Sequence, residues 1–261
     1  MKIVTLWTAA LLFLAATMET PAQFGPGGGG GMGGPKGPNL GGAMARLFGE
    51  HTGFSATVEM ATKMGNNPEP MVMPGKLAFL DGKSRFEMDL TQAKGTPMRP
   101  EQAAQMKAMG MGEMIVISRP DKKLSCLVYP GFQSHVEMAL QEGDGAGDPA
   151  KFKVETTELG KETLDGHPCV KNKVVVTDDQ GQKHESTVWN ATDMKSFPLK
   201  IESIQNGTPV TMTFKDVKLA KPDAAVFEAP ANSTKYADMM QMMREGMMKK
   251  LGGGGLPQPP K

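Results

Sequence analysis

The sequence predicts a mainly β protein with a few helices (α+β), in which one strongly curved antiparallel sheet wraps around helices. From Phe54 onward, apolar and polar residues alternate in about eleven segments, the pattern of strands with one buried face. Short turn sequences such as Asp81-Gly82 and Asn206-Gly207 join neighbouring segments, so the strands are expected to pair antiparallel. A sheet with one apolar face must bury it, and the predicted helices can cover it.

The chain ends fall outside this predicted domain. Lys2, an apolar run over residues 3–16 and the small residues before position 23 indicate a signal peptide over residues 1–22, cleaved near Ala22. An uncleaved membrane anchor is the alternative, although the run is short for a bilayer. Gly and Pro dominate residues 23–42 and 252–261, which predicts a disordered leader and tail around a domain at 43–251.

Composition limits the partners that the protein is expected to have. The formal net charge is +1, so the chain lacks the basic footprint of a nucleic-acid-binding protein. Past the signal there is no second long apolar run, and we expect an exported protein of the periplasm or cell envelope that is peripheral to the membrane at most. The sequence leaves the oligomeric state open.

The first six predicted strands lie before a Gly/Asp-rich break at residues 142–150. In the first, Phe54, Ala56, Val58 and Met60 share one face. The others in this half are GKLAFL, KSRFEMDL, MIVISR, KLSCLVYP and QSHVEMAL. Arg85 follows the turn of the first hairpin.

The second half repeats the alternating pattern after the break. Its predicted strands are KFKVETTELGKETL, CVKNKVVVT, KHESTVWNA, FPLKIESIQ and TPVTMTFKDVKL. Phe197, Leu199 and Ile201 share one face of the fourth of these, and Val210, Met212 and Phe214 continue that face in the next.

Three segments have helical composition. One opens the domain around AMARLF, and a second begins with Pro100, which suits the first turn of a helix. The third is the methionine-rich C-terminal segment, where Met239, Met240, Met243, Met247 and Leu251 are expected to form one apolar stripe. Gly246 in this segment weakens a helix by about 1 kcal/mol relative to Ala.

The methionine stripe permits three interpretations. The first is that it packs as the inside face of a helix that closes the open side of the sheet, since Met fills irregular apolar space. The second is that it makes adaptable contact with a lipid or a partner. The third is that thioethers of Met239, Met243 and Met247 bind Cu(I). The first interpretation is favoured, because other methionines also fall on the predicted apolar strand faces.

Cysteines and histidines give no convincing catalytic set. Cys126 and Cys169 could form a disulfide in an oxidising compartment, or they could be two small buried residues. His167 and Cys169 could form a thiol site if Lys171 and Lys173 made the setting electropositive. His135 is expected on a solvated strand face with Glu137, and His184 beside Glu185. No spacing typical of metal ligands is present, and neither an enzyme nor a cofactor is predicted.

Several motifs resemble an uncharacterised family of exported bacterial proteins with a fold similar to the outer-membrane lipoprotein carrier (LolA-like). They are LDGKSRFEM, MIVISRPDKKLSCLVYPGFQSHVEM, LGKETLDGHPCVKNKVVV, STVWNATDMKSFPLKIE, VTMTFKDVKLAKPDAAVFEAP and the methionine-rich end. The resemblance implies an unclosed antiparallel half-barrel of about eleven strands with helices packed in its concave face. In the carrier, an apolar cavity under the helices holds acyl chains.

This resemblance leads to the functional expectation of a non-enzymatic protein that holds a lipid or lipoprotein-like ligand in a half-barrel cavity. Residues on the predicted apolar faces are the candidates to line the cavity: Val58, Met60, Phe86, Met88, Met138 and Leu199. The alternative is an interaction or sensor domain of the cell envelope whose half-barrel is filled by its own side chains. A methionine-based copper protein is the less favoured third possibility.

Overall fold

The structure is a computed structural model, and it describes residues 42–63, 69–96, 98–140, 152–178, 180–205, 207–250 and 252. The predicted signal peptide lies outside the described residues, as do all but one residue of the predicted leader and all but one of the predicted tail.

One unclosed twelve-stranded sheet forms the body of the domain, in the order β12-β6-β5-β4-β3-β2-β1-β11-β10-β9-β8-β7. All the predicted strands are present. Their bounds are β1 Gly53–Thr62, β2 Met71–Leu80, β3 Lys83–Asp89, β4 Glu113–Arg119, β5 Leu124–Tyr129, β6 Ser134–Ala139, β7 Lys153–Leu164, β8 His167–Thr177, β9 Lys183–Ala191, β10 Phe197–Gln205, β11 Thr208–Lys218 and β12 Thr234–Tyr236. The helices are α1 Ala43–Arg46, α2 Pro100–Ala108 and α3 Met239–Lys250. The half-barrel fold is therefore confirmed.

The shortest strand, β12, is the element that the sequence pattern missed. It pairs parallel with β6, whereas every other pair in the sheet is antiparallel. A segment of three residues is too short to show alternation, and its place at the sheet edge depends on the long connection from β11.

The concave face of the sheet carries the larger apolar cluster, which we call the inner cluster. The predicted alternation is confirmed in β1, since Phe54, Ala56 and Val58 are all buried in this cluster. Its largest fully buried side chains are Phe48, Phe54, Phe86, Phe197, Phe214, Leu77, Met114, Ile201, Met212 and Met242. Residues from α1 and α3 pack against it, so these two helices cover the apolar face.

Helix α2 does not share this role. None of its residues is buried, although Pro100 begins it as the sequence predicted. The cover of the concave face therefore comes from α1 and α3, without a buried residue of α2. The composition of α2 explains the difference, because Glu101, Gln102, Gln105 and Lys107 leave it without an apolar face wide enough to bury.

A second apolar cluster, the outer cluster, lies on the opposite face of β4 and β5. It consists of Leu80, Ile115, Ile117, Cys126, Val128 and Phe227. Phe227 reaches it from the strap, our name for residues 224–229, in the connection between β11 and β12. The side chain of Phe227 is 1% exposed, so it anchors the strap to the sheet.

Arginines on β3 and β4 hold the strap in place. Arg85 donates to the Val226 carbonyl at 3.2 Å, and Arg119 donates to the Phe227 carbonyl at 3.4 Å. Arg119 also pairs with Asp121 and Glu228. Its hydrogen bond lowers the pKa of Asp121 to about 2, and the pKa of Glu228 is lowered by the same guanidinium and by Lys122.

The two cysteines are buried and unpaired, so a Cys126–Cys169 disulfide is absent from the structure. The interpretation as two small buried residues is confirmed. They belong to different clusters, Cys126 to the outer and Cys169 to the inner one, which keeps their sulfurs from meeting. Burial raises the pKa of the Cys126 thiol to about 11.

We predict that Phe227→Ala lowers the free energy of unfolding by about 3–4 kcal/mol, because it leaves a cavity under the strap. Phe227→Leu, the matched control, should lower it by less than about 1.5 kcal/mol. Urea unfolding measures both. A loss below about 1 kcal/mol for the alanine variant would contradict the anchoring role of Phe227.

A second prediction concerns acid stability. Because the pKa values of Asp121 and Glu228 are lowered in the folded state, the stabilisation they give is present above their ordinary values of 3.8 and 4.5 and is lost as the pH falls toward about 2. The double variant Asp121→Asn, Glu228→Gln should therefore lose less stability than the wild type over this range. Thermal melts across the pH series measure the difference, and parallel curves would refute it.

Candidate functional site

Helix α3 and the part of the inner cluster beneath it form the candidate site. The helix starts after Asp238, whose side chain accepts a hydrogen bond from the Gln241 backbone N–H at 2.8 Å. Met242 is completely buried in the inner cluster, and Met239, Met243 and Met247 pack partly buried against it. The predicted packing of the methionine helix against the sheet is thus present in the structure.

The buried stripe of α3 differs from the predicted one by a rotation of the helix. Met240 was expected on the inside, but it is 74% exposed, and Met242 takes the central position instead. Leu251, the last residue of the predicted stripe, lies outside the described residues. The rotation brings Gly246 against the sheet, a position that spacing of methionines alone does not indicate.

Gly246 allows α3 to approach the ring of Phe132 closely. A Cβ atom at position 246 would lie 2.6 Å from Cγ of Phe132, well inside van der Waals contact. Phe132 is itself buried and stacks on Tyr129, with 5.8 Å between ring centroids. The glycine that weakens the helix is therefore required for its packing.

The remaining anchor of α3 is a part-buried contact between Lys249 and Tyr236. Lys249 Nζ donates to the Tyr236 hydroxyl at 3.2 Å and lies 5.8 Å from the centre of that ring. Tyr236 ends β12, so the helix is attached through a strand of three residues at the edge of the sheet. An interaction of this kind contributes about 1 kcal/mol or less.

His135 lies on β6, the strand that pairs with β12. The prediction that His135 lies on a solvated face is wrong. The residue is 6% exposed, and its Nδ1 lies 2.7 Å from Ser233 Oγ. The Ser233 hydroxyl donates its single hydrogen to the Pro230 carbonyl at 2.6 Å, so Nδ1 carries the proton and donates to Oγ. Ser233 lies in the connection between the strap and β12. Burial of the ring lowers the pKa of His135.

Beside α1, the interior of the half-barrel is filled by aromatic side chains. Phe48 lies at the centre of this packing, and the ring centroids are separated by 4.8 Å to Phe54 and 5.2 Å to Phe79. Phe197 and Phe214 complete the group at 6.2 and 5.7 Å from Phe48. Such contacts add stability beyond burial alone.

Methionine forms much of the remaining interior. Met73, Met88, Met114, Met212 and Met242 are buried in the inner cluster. A partly buried group surrounds them, consisting of Met44, Met60, Met111, Met194, Met239, Met243 and Met247. Unbranched thioether side chains can rearrange to fit different shapes, so this part of the interior is deformable.

The predicted cavity-lining residues are mostly brought together. Val58, Phe86, Met88 and Leu199 are buried in the inner cluster, and Met60 packs against it. Met138 lies one residue before the end of β6, is 44% exposed and does not belong to the cluster. Whether any of them contacts a ligand stays a prediction.

Two surface grooves are the best-formed pockets among the described residues, and neither is lined by those candidates. One, of about 360 Å³, lies beside α2 and includes Met98, Arg99 and Lys107. The other, of about 260 Å³, lies beside the strap and includes Lys76, Arg85 and Glu87. On the concave face, the candidates Val58, Phe86, Met88 and Leu199 are covered by other side chains in this structure.

The thiol site considered from the sequence is not formed. Cys169 Sγ contacts the backbone carbonyl of His167 at 3.5 Å, whereas the His167 ring pairs with Asp193. Burial raises the pKa of Cys169, which keeps it a thiol. Lys171 lies over the Trp189 ring and Lys173 pairs with Glu185, so neither provides the expected electropositive setting.

Other titratable side chains make local pairs. His184 lies 3.1 Å from the Asp178 carboxylate, and Lys235 pairs with Glu137. Within the described ranges, no group of three or more His, Cys, Asp or Glu residues is placed to hold a metal ion. None of the helices formed by the described residues is both long and apolar enough to span a bilayer.

Comparisons with known proteins give remote structural neighbours. No protein-family model matches the chain, and no curated protein matches it in sequence. Among solved structures, a LolA superfamily protein from Nitrosomonas europaea has a TM-score of 0.34 at 9% identity, over 70% of this chain and 93% of that one. Lipoprotein LppX from Mycobacterium tuberculosis has a TM-score of 0.37 at 11% identity, over 66% and 90% of the two chains.

A third neighbour is MucB, with a TM-score of 0.34 at 13% identity, over 73% of this chain. The present chain spans only 62% of the length of MucB. These neighbours include the LolA-like group that the sequence resemblance named. At such scores, no ligand or partner is carried from them to this chain.

We predict that Gly246→Ala destabilises the protein by about 1–3 kcal/mol, although alanine is the better helix former, because the new methyl group meets the Phe132 ring. In a Phe132→Ala background the same change should stabilise by about 0.5–1 kcal/mol, since only the helix propensity then counts. Denaturant unfolding of this double-mutant cycle provides the measurement. Equal effects in both backgrounds would exclude the contact.

We also predict that acid loosens β12 and α3. The pKa of His135 lies below its ordinary 6.5, so the stability from its neutral, buried form is present above that value and is lost as the pH falls below it. Glu137 raises this pKa and Lys235 lowers it, but burial is the larger cause. NMR of the Tyr236 and α3 resonances from pH 7.5 to 4.5 measures the change. A His135→Asn variant should remove its pH dependence, and unchanged dependence would contradict the assignment.

Proposed function

We propose that this protein is an exported, non-enzymatic binding protein that holds an acyl chain against its concave face after α3 moves aside. One observation carries the proposal. The terminal helix closes a methionine-rich apolar face, and a single methionine, Met242, is its only fully buried side chain. Export rests on the predicted signal peptide at residues 1–22.

The attachments of α3 support its role as a lid. Exposing Met242 forfeits about 1.5–3 kcal/mol of apolar burial, and the partly buried Met239, Met243 and Met247 each add a smaller amount. The part-buried hydrogen bond between Lys249 and the Tyr236 hydroxyl adds about 1 kcal/mol to this. Displacing the helix from the sheet is therefore a small change relative to unfolding the domain.

An acyl chain can offset the displacement. Each buried methylene contributes about 0.8 kcal/mol, so about ten of them supply about 8 kcal/mol before the loss of ligand freedom is counted. The partly buried methionines, among them Met60 and Met247, would provide a surface that adapts to acyl chains of different shape. The candidates Val58, Phe86, Met88 and Leu199 lie beneath this layer and would form the floor of the opened site.

A filled interaction or sensor domain is the second candidate function, and one observation favours it. Phe48 and the four phenylalanines around it pack ring against ring and occupy the concave face beside α1. If this packing extends unchanged under α3, the half-barrel serves as a scaffold and its outer surfaces make the contacts. Copper binding by Met239, Met243 and Met247 has no comparable support, since these side chains pack against the inner cluster.

A reversible lock on α3 tests the proposal. With Phe132→Cys and Gly246→Cys, the two Cβ atoms fall within about 4 Å, because the Cβ at 246 would be 2.6 Å from Phe132 Cγ. The reduced double variant should take up a fluorescent fatty-acyl probe. Oxidation should reduce its affinity at least about tenfold, and dithiothreitol should restore it.

The single variant Phe132→Cys is the matched control and should be insensitive to oxidation, because Cys126 and Cys169 are buried. Equal uptake by the oxidised and reduced double variant would contradict a lid role for α3. No uptake by the wild type would contradict acyl-chain binding and favour the filled domain.

A further inference from the structure

One buried polar atom of the described residues has no hydrogen-bond partner, namely Nε of Arg46. Every other buried side-chain nitrogen or oxygen of the described residues is paired. Native proteins leave few such groups, so each one calls for a physical reason.

Arg46 lies at the margin of the inner cluster. It ends α1, in which Ala43, Met44 and Ala45 pack against that cluster. Leu47 and Phe48 follow it directly and are 7% and 1% exposed. Arg46 as a whole is only partly buried, but its Nε is removed from solvent on the helix that covers the concave face beside the phenylalanine group.

The chemistry of the guanidinium defines the kind of partner that its Nε requires. A guanidinium stays charged at any physiological pH and has no acceptor capacity, so only an oxygen acceptor can satisfy it. Leaving a buried donor unpaired costs free energy, and the cost is greater when the donor is charged. A carboxylate or phosphate oxygen recovers the most, because charge-assisted hydrogen bonds are about twice as strong as neutral ones.

The described residues supply no such acceptor. Arg85 and Arg119 each pair with a carboxylate, whereas Arg46 forms no ion pair with any described residue. This contrast separates Arg46 from the arginines that hold the strap.

We propose that the ligand of the concave face is an anionic amphiphile, whose charged oxygen pairs with Arg46 while its acyl chain lies against the inner cluster. This inference rests on the proposed function and adds the class of head group to it. A fatty-acid carboxylate and a lysophospholipid phosphate share the required chemistry.

Ligand pairs that differ only in the head group test the inference. Palmitic acid and methyl palmitate have the same chain, but only the acid carries the charge. The wild type should bind the acid at least about tenfold more tightly than the ester, in competition with a common acyl probe. Lysophosphatidic acid with the same chain distinguishes the two sources, since tighter binding than palmitic acid identifies the phosphate.

Arg46→Met keeps a long apolar side chain and removes the donor. It should abolish the preference for the acid and leave the affinity for the ester unchanged or higher. Arg99→Met, at the residue that precedes α2, is the matched control and should keep the wild-type preference, because Arg99 is exposed.

The outcomes separate the two proposals. A wild type that binds acid and ester equally overturns the role of Arg46 and leaves acyl-chain binding intact. Retention of the preference by Arg46→Met has the same consequence. Failure to bind any of the three ligands overturns acyl-chain binding itself, and the head-group inference with it. The wild-type comparison decides the matter even if the variant does not fold.

Discussion

Coverage of the apolar concave face is the constraint on which the rest of the structure depends. An open sheet of twelve strands presents one apolar face, and water must be kept from it. Helix α1 covers one part with Phe48, and α3 covers another with Met242. The close contact between Gly246 and Phe132 sets the height of α3 above the sheet. The packing of α3, the phenylalanine group and the unpaired Nε of Arg46 all follow from how this face is covered.

The two faces of the sheet are held in different ways. On the outer face, Phe227 and the pairs around Arg119 fix the strap through a buried ring and several charged hydrogen bonds. On the inner face, α3 relies on the apolar contacts of Met242 and the partly buried methionines, on its approach to Phe132 and on one hydrogen bond to Tyr236. Rigidity is therefore concentrated on the side without the candidate site. A binding protein needs this arrangement, because ligand entry must disturb only the element that moves.

The sequence predicted the features that depend on local pattern. Alternation in β1 and β10 placed Phe54, Val58 and Phe197 on the inner side, and each is buried in the inner cluster. The sequence pattern did not predict the features that depend on contacts between distant segments. The rotation of α3 depends on Phe132, the burial of His135 depends on Ser233, and β12 is too short to alternate. The filled interior and the unpaired Nε of Arg46 were likewise inaccessible, since both arise from packing between elements far apart in the chain.

Native-state hydrogen exchange of α3 tests the central claim most directly. If α3 is a lid, its amides between Met242 and Lys250 exchange through a local opening whose free energy is several kcal/mol below that of global unfolding, while β1, β10 and β11 exchange only on unfolding. The same protection pattern in α3 and in those central strands, with one common denaturant dependence, would contradict a movable lid.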